Sequence, residues 1–196
     1  PVRTFESKIN SFGFYVRYPD GQTLDSWARR EGKRLTPPWD DRWIDVGVKS
    51  SKHYPGNGFL QRYEQALFRD QTHKSALFRY HLQPEKEYGL EVYKLAPPPE
   101  GPDPTKLIVD DEYFGRDAEG RLVTTIRCTA VRVDVSRSTC VQDWSMEENG
   151  LKVELSSQYR RPLLAHWREI QPMVTQMVLG FRHDPSQSEP APSAPR

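Results

Sequence analysis

Apolar and polar residues alternate along much of this chain, and the alternation predicts a sheet. Phe12-Gly-Phe-Tyr-Val-Arg-Tyr18 is rich in aromatic and β-branched residues and reads as a strand. Pro19-Asp20-Gly21 has turn chemistry. Thr23 or Asp25 then caps a short predicted helix through Trp27-Ala-Arg-Arg-Glu31, stopped by Gly32. Leu35 to Arg42 is loop, with Pro37-Pro38 inside it, and Trp43 to Val48 is a second strand. Tyr54 to Gly58 is a turn cluster. Leu60, Tyr63, Glu64 and Leu67 fall at helical spacing and predict a helix over 59–69.

The second half continues the pattern. Ala76 to Leu82 and Tyr88 to Leu95 read as a hairpin. A proline-rich run, Pro97 to Pro104, follows and favours extended backbone. It is a long surface loop or a subdivision point near 97–105. Strands are then expected at Glu112–Phe114, Arg121–Val131, Cys140–Met146 and Leu151–Ser157. In the second of these, Leu122, Thr124, Ile126 and Cys128 should share one face. In the last, Leu151, Val153 and Leu155 should face inward and Lys152, Glu154 and Ser156 outward. Pro162 suits a first helical turn. Leu163, Trp167, Ile170, Val174, Met177, Val178 and Phe181 make one apolar stripe, with Pro172 expected to kink or split the helix. Asp184 to Arg196 reads as a disordered tail. The fold class expected is α+β: an antiparallel sheet covered on one face by helices, including a long C-terminal helix, in a single domain over 1–183.

Composition narrows the function. Lys plus Arg number 28 against 27 Asp plus Glu, a net charge of +1. That balance argues against nucleic acid as partner. No run of eighteen apolar residues exists to span a membrane. The chain starts at Pro1 without Met, as a mature form would, which leaves room for a removed leader or membrane anchor and says nothing about either.

Cys128 and Cys140 are the only cysteines. If their strands pair antiparallel, residues 128 and 140 come opposite each other, about 4.5–5.5 Å apart at Cα. That is within disulfide reach. A disulfide would point to an oxidising compartment, and a Cys128 sharing the face of Leu122 and Ile126 would make it buried and structural. The alternatives are two free thiols or half a metal site. Twelve-residue spacing with no supporting histidine argues against metal.

Catalytic motifs are missing: there is no Gly-x-Ser-x-Gly, no His-Glu-x-x-His and no phosphate loop. His53, His73, His81, His166 and His183 are scattered. The carboxylate runs Asp40-Asp41, Asp110-Asp111-Glu112 and Glu147-Glu148 adjoin turns and are read as solvated. No cofactor is expected, and no enzyme, although a triad dispersed in sequence is an alternative. Loop aromatics stand out instead, because aromatic residues with arginine neighbours anchor protein interfaces. Trp39, Asp40, Asp41, Arg42 and Tyr54 are the candidate partner-binding residues; the alternative for Trp39 and Tyr54 is that they plug the sheet edges or the core. Trp43 and Phe59 are assigned to the core.

The C-terminal third carries a resemblance. Ile126-Arg-Cys128, Cys140, Gly150-Leu-Lys-Val-Glu-Leu155, Tyr159-Arg-Arg-Pro-Leu-Leu164, Trp167-Arg-Glu-Ile170 and Val178-Leu-Gly-Phe181 resemble periplasmic immunity proteins encoded beside type VI secretion effectors of lipase type. Gly13-Phe-Tyr-Val-Arg-Tyr-Pro19 is similar to their first strand and to the start of the Mog1/PsbP-like fold. The resemblance implies a periplasmic protein that binds and occludes a cognate toxic effector, a phospholipase. The alternative is an envelope structural protein or secretion chaperone with a Mog1/PsbP-like fold.

Overall fold

A computed structural model describes residues 10–24, 41–69, 79–96, 109–130 and 138–181. The strands are β1 (Ser11–Arg17), β2 (Trp43–Ser50), β3 (Arg79–Leu82), β4 (Glu91–Ala96), β5 (Val109–Arg116), β6 (Leu122–Ala130), β7 (Thr139–Ser145) and β8 (Val153–Arg160). They form one sheet in the order β1-β2-β8-β7-β6-β5-β4-β3. Every neighbouring pair is antiparallel. β3 to β8 are a meander, and β2 closes onto β8, so strands from both ends of the chain meet at mid-sheet. The helices are α1 (Phe59–Arg69) and α2 (Trp167–Gly180), with a 3-10 turn over Arg161–His166 leading into α2.

The expected α+β class holds, but the helices cover opposite faces. On the first face Val16, Ile44, Val46, Val48, Val92, Tyr113, Ile126, Trp144, Leu155 and Tyr159 form the core, closed by Trp167, Ile170, Val174 and Val178 of α2. Burying each such side chain is worth about 1.5–3 kcal/mol, which holds α2 against the sheet. On the second face Leu60 of α1 packs on Phe114 and Leu122, with Tyr63, Leu67 and Phe68 around them. Arg116 fastens this helix by reaching Glu64 of α1 at 2.5 Å and Glu91 of β4 at 2.9 Å.

Leu122 therefore does not share a face with Ile126 and Cys128, as alternation predicted. The β5–β6 register shifts between Gly115 and Arg116, where Gly115 opposes Thr124 and Arg116 opposes Leu122. The extra residue turns Leu122 to the α1 side. Gly115 is needed where the shift occurs: a Cβ there would lie 2.6 Å from Thr124 Cγ2 and 3.1 Å from the Trp167 ring.

Other departures have local causes. Pro172 neither splits nor ends α2, which runs unbroken to Gly180; the change of helix type comes earlier, at Trp167. The stripe's last residue, Phe181, is exposed and meets Phe12 and Phe14 instead. Glu154 points away from Leu155, as the alternation predicted, but is buried, because the second face is partly covered too. Asp110-Asp111-Glu112 lies within β5 and not at a turn, with Asp111 and Glu112 buried. Asp111 is compensated there by Arg161, 2.8 Å away.

Tyr88 and Gly89 precede β4 as a turn, both with positive φ. Trp167 Nε1 donates to the Tyr88 carbonyl at 3.1 Å, so this turn locks onto the start of α2. Gly89→Ala should destabilise the fold by about 1–2 kcal/mol through its left-handed backbone. Thermal denaturation checks this, and an unchanged midpoint would count against it.

The cysteines are bonded. Cys128 and Cys140 face each other in the β6–β7 register, with Cα atoms 4.0 Å apart, and both are fully buried. Thr23 lies in a bridge to Val16, while the helix expected over 27–31, the proline-rich 97–104 and the tail from 184 fall outside the described residues. β4 and β5, on either side of the proline-rich segment, pair directly in the one sheet. Among the described residues no helix is long and apolar enough to cross a membrane.

Candidate functional site

The second face of the sheet carries a groove whose shape follows from strand register. Residues directly opposite across antiparallel strands form rows. One row crosses β2, β8, β7 and β6 as Gly47, Ser156, Asp143 and Thr125. These side chains are small or short, so the row is a trough. The next row, Lys49 and Glu154, is an ion pair at 3.0 Å. On the other side stand Val141 and Arg127. The turn after β2 and the first turn of α1 complete the wall with His53, Pro55, Phe59 and Arg62, and the cavity holds about 620 Å³.

The wall is fixed by its own contacts. Arg62 donates to the carbonyls of Pro55 at 2.6 Å and Gly56 at 3.1 Å, and also to that of Asn57. Tyr54 meets Phe59 edge-on, with ring centres 6.2 Å apart, and its hydroxyl donates to Glu147. Burial and the Glu147 carboxylate both push the Tyr54 phenol up.

The carboxylates of Asp143 and Glu112 lie on this face, the first half-buried and the second buried. Asp143 accepts a hydrogen bond from the Ser156 hydroxyl. Burial pushes its carboxyl up, against the pull of that hydrogen bond, Arg127 and Lys49. Glu112 lies on the same face, opposite Arg127 in β6 and Tyr93 in β4, and is only 2% exposed. Tyr63 of α1 donates to Glu112 Oε1 at 2.7 Å, while Oε2 is buried without a hydrogen-bond partner. Burial raises the Glu112 carboxyl to about 7; Tyr63 and Arg127 oppose the rise, and Asp110 and Asp143 add to it.

The groove brings together His53, Asp143 and Ser156, the residue types of a hydrolytic triad. In such a triad histidine links serine to the carboxylate. Here Ser156 bonds directly to Asp143, and His53 has no hydrogen-bond or ion-pair partner among the described residues. His166 is elsewhere, with Nδ1 3.0 Å from the Tyr18 hydroxyl and 3.2 Å from Glu169. Among the described residues no cluster of three or more His, Cys, Asp or Glu could hold a metal ion.

The residues chosen from sequence are dispersed. Asp41 and Arg42 are exposed before β2, where Asp41 lies 3.7 Å from Arg160 and the Arg42 carbonyl accepts from the Tyr18 N–H. Tyr54 is at the far end of β2, roughly 25 Å of strand away. Trp39 and Asp40 lie outside the described residues. Sequence reasoning missed Asp143, Glu112, Arg127 and Ser156. A usable signal was there: Asp143 and Glu112 each sit next to an aromatic, inside runs that read as strands.

No protein-family model and no curated protein matches this sequence. A solved structure does match: Smlt3025, an immunity protein of the Stenotrophomonas maltophilia type IV secretion system. The TM-score is 0.65 at 17% identity, over 90% of this chain and 83% of the other. The two proteins share a fold.

Proposed function

We propose that this protein is an immunity-type binding protein, which neutralises a secreted antibacterial effector by binding and occluding it. The observation that carries this is the fold it shares with an immunity protein over nine-tenths of its length. The C-terminal residues that resemble periplasmic immunity proteins support it independently, and they are the source for a phospholipase as the effector. They point to a type VI system, whereas the structural neighbour serves a type IV system. The occlusion reading does not depend on the secretion route. A buried disulfide persists only where it is not reduced, which favours the periplasm. An anchor outside this chain would hold the protein there.

On this reading the protein acts stoichiometrically and without turnover. The complex should bury about 1,200–2,000 Å² in total. Trp39 to Arg42 and Tyr54, chosen from sequence, belong to the proposed surface together with the groove beside α1. The test is co-purification with the secreted toxin encoded beside its gene, followed by titration of that toxin's lipid hydrolysis. Inhibition should be complete at one equivalent. Absence of a complex, or a complex with full toxin activity, would sink the proposal.

A further inference from the structure

We infer that the trough over Gly47, Ser156, Asp143 and Thr125 receives the partner, and that the partner fills it with a segment directing a lysine or arginine side chain at Asp143. This rests on the immunity reading and names the chemistry of its interface. Shape is the first reason. The sheet face is low at this row and walled on both sides, leaving about 620 Å³, room for a side chain or a narrow loop.

Charge decides what enters. The cations around the trough have nearer partners than Asp143. Lys49 pairs with Glu154 at 3.0 Å, the ion pair Arg127 makes is with Asp110 at 3.9 Å, and Arg62 is spent on backbone carbonyls. Among the described residues no cation lies within 4 Å of Asp143 or of Glu112. Glu112 Oε2, on the same face beyond Arg127, has no donor at all. A buried carboxylate without a paired cation is costly, and removing that cost favours whatever supplies the cation. Lysine brings three donors and arginine five, and both bring the missing charge. An acidic side chain would face the Asp143 carboxylate, of its own sign.

The experiment measures affinity for the toxin encoded beside this gene by calorimetry. Asp143→Asn should weaken binding about tenfold or more, and Asp143→Lys about a hundredfold or more. Ser156→Tyr, which fills the trough, should weaken it comparably. Lys86→Gln, on an exposed turn, should bind as wild type does. Changing the inserted lysine or arginine of the toxin to glutamate should restore binding to Asp143→Lys. Thermal denaturation verifies that each variant folds, and Asp143→Asn decides if the lysine variant does not. Wild-type affinity in a folded Asp143→Asn or Asp143→Lys would overturn the groove and leave the immunity reading standing. A wild-type protein that binds no toxin would overturn both.

Discussion

Replacing Glu112 by glutamine flattens the dependence of folding stability on pH between about 4.5 and 7. In the folded protein the Glu112 carboxyl is raised from its ordinary 4.5 to about 7, chiefly by burial. Below pH 4.5 it is protonated in both states, and its contribution to stability is fully present. Above that the unfolded chain ionises first, so stability falls with pH. The fall ends once the folded carboxyl has also ionised, near pH 7. The gap between 4.5 and about 7 corresponds to about 3 kcal/mol. Asp143 is shifted in the same direction, so a smaller slope should remain in Glu112→Gln. Urea denaturation at pH 4.5, 6 and 8 measures this. Equal slopes in variant and wild type would show that Glu112 is solvated and that the floor of the second face is wet. If a partner's cation reaches this floor, the cost of ionising it is offset in the complex.

Reducing the Cys128–Cys140 bond should cost about 3 kcal/mol, from the loop-closure entropy that the cross-link removes from the unfolded chain. For a protein of this size that is about 6–12 °C in Tm. Reduced wild type is the cleanest comparison, because it keeps every core atom. The double variant Cys128→Ala/Cys140→Ala should fall further, since both sulfurs occupy fully buried positions. Both cysteines lie in the core of the first face, on the other side of the sheet from the trough, so the reduced protein, where still folded, should bind its partner with unchanged affinity. Equal midpoints with and without reductant would mean that the bond stabilises nothing.

Most elements were legible because backbone periodicity is a local property. The alternation in Leu151 to Ser157, the helical spacing of Leu60, Tyr63 and Leu67, and the stripe from Leu163 to Val178 each announce an element and its apolar side. The cysteine pairing followed from symmetric positions about one connection, and the structure has that register. The α1 helix was marked by four residues and is built from them. Tyr54 was legible as an aromatic in a turn, but its edge contact with Phe59 and its bond to Glu147 come from packing.

The site was not legible, for a reason seen in three residues. Glu112, Asp143 and Glu154 look like polar positions of half-buried strands, and such positions normally meet water. Whether they do depends on what covers the second face. The sequence by itself determined the strands, the helices, the disulfide partners and the near-neutral charge. Only tertiary structure decided that α1 and α2 lie on opposite faces, that the register shift at Gly115 turns Leu122 toward α1, and that Asp143 lines a trough. Side-chain alternation within a strand is set by two neighbouring residues. The row Gly47, Ser156, Asp143 and Thr125 draws on four strands and more than a hundred residues of chain, and no local pattern encodes it.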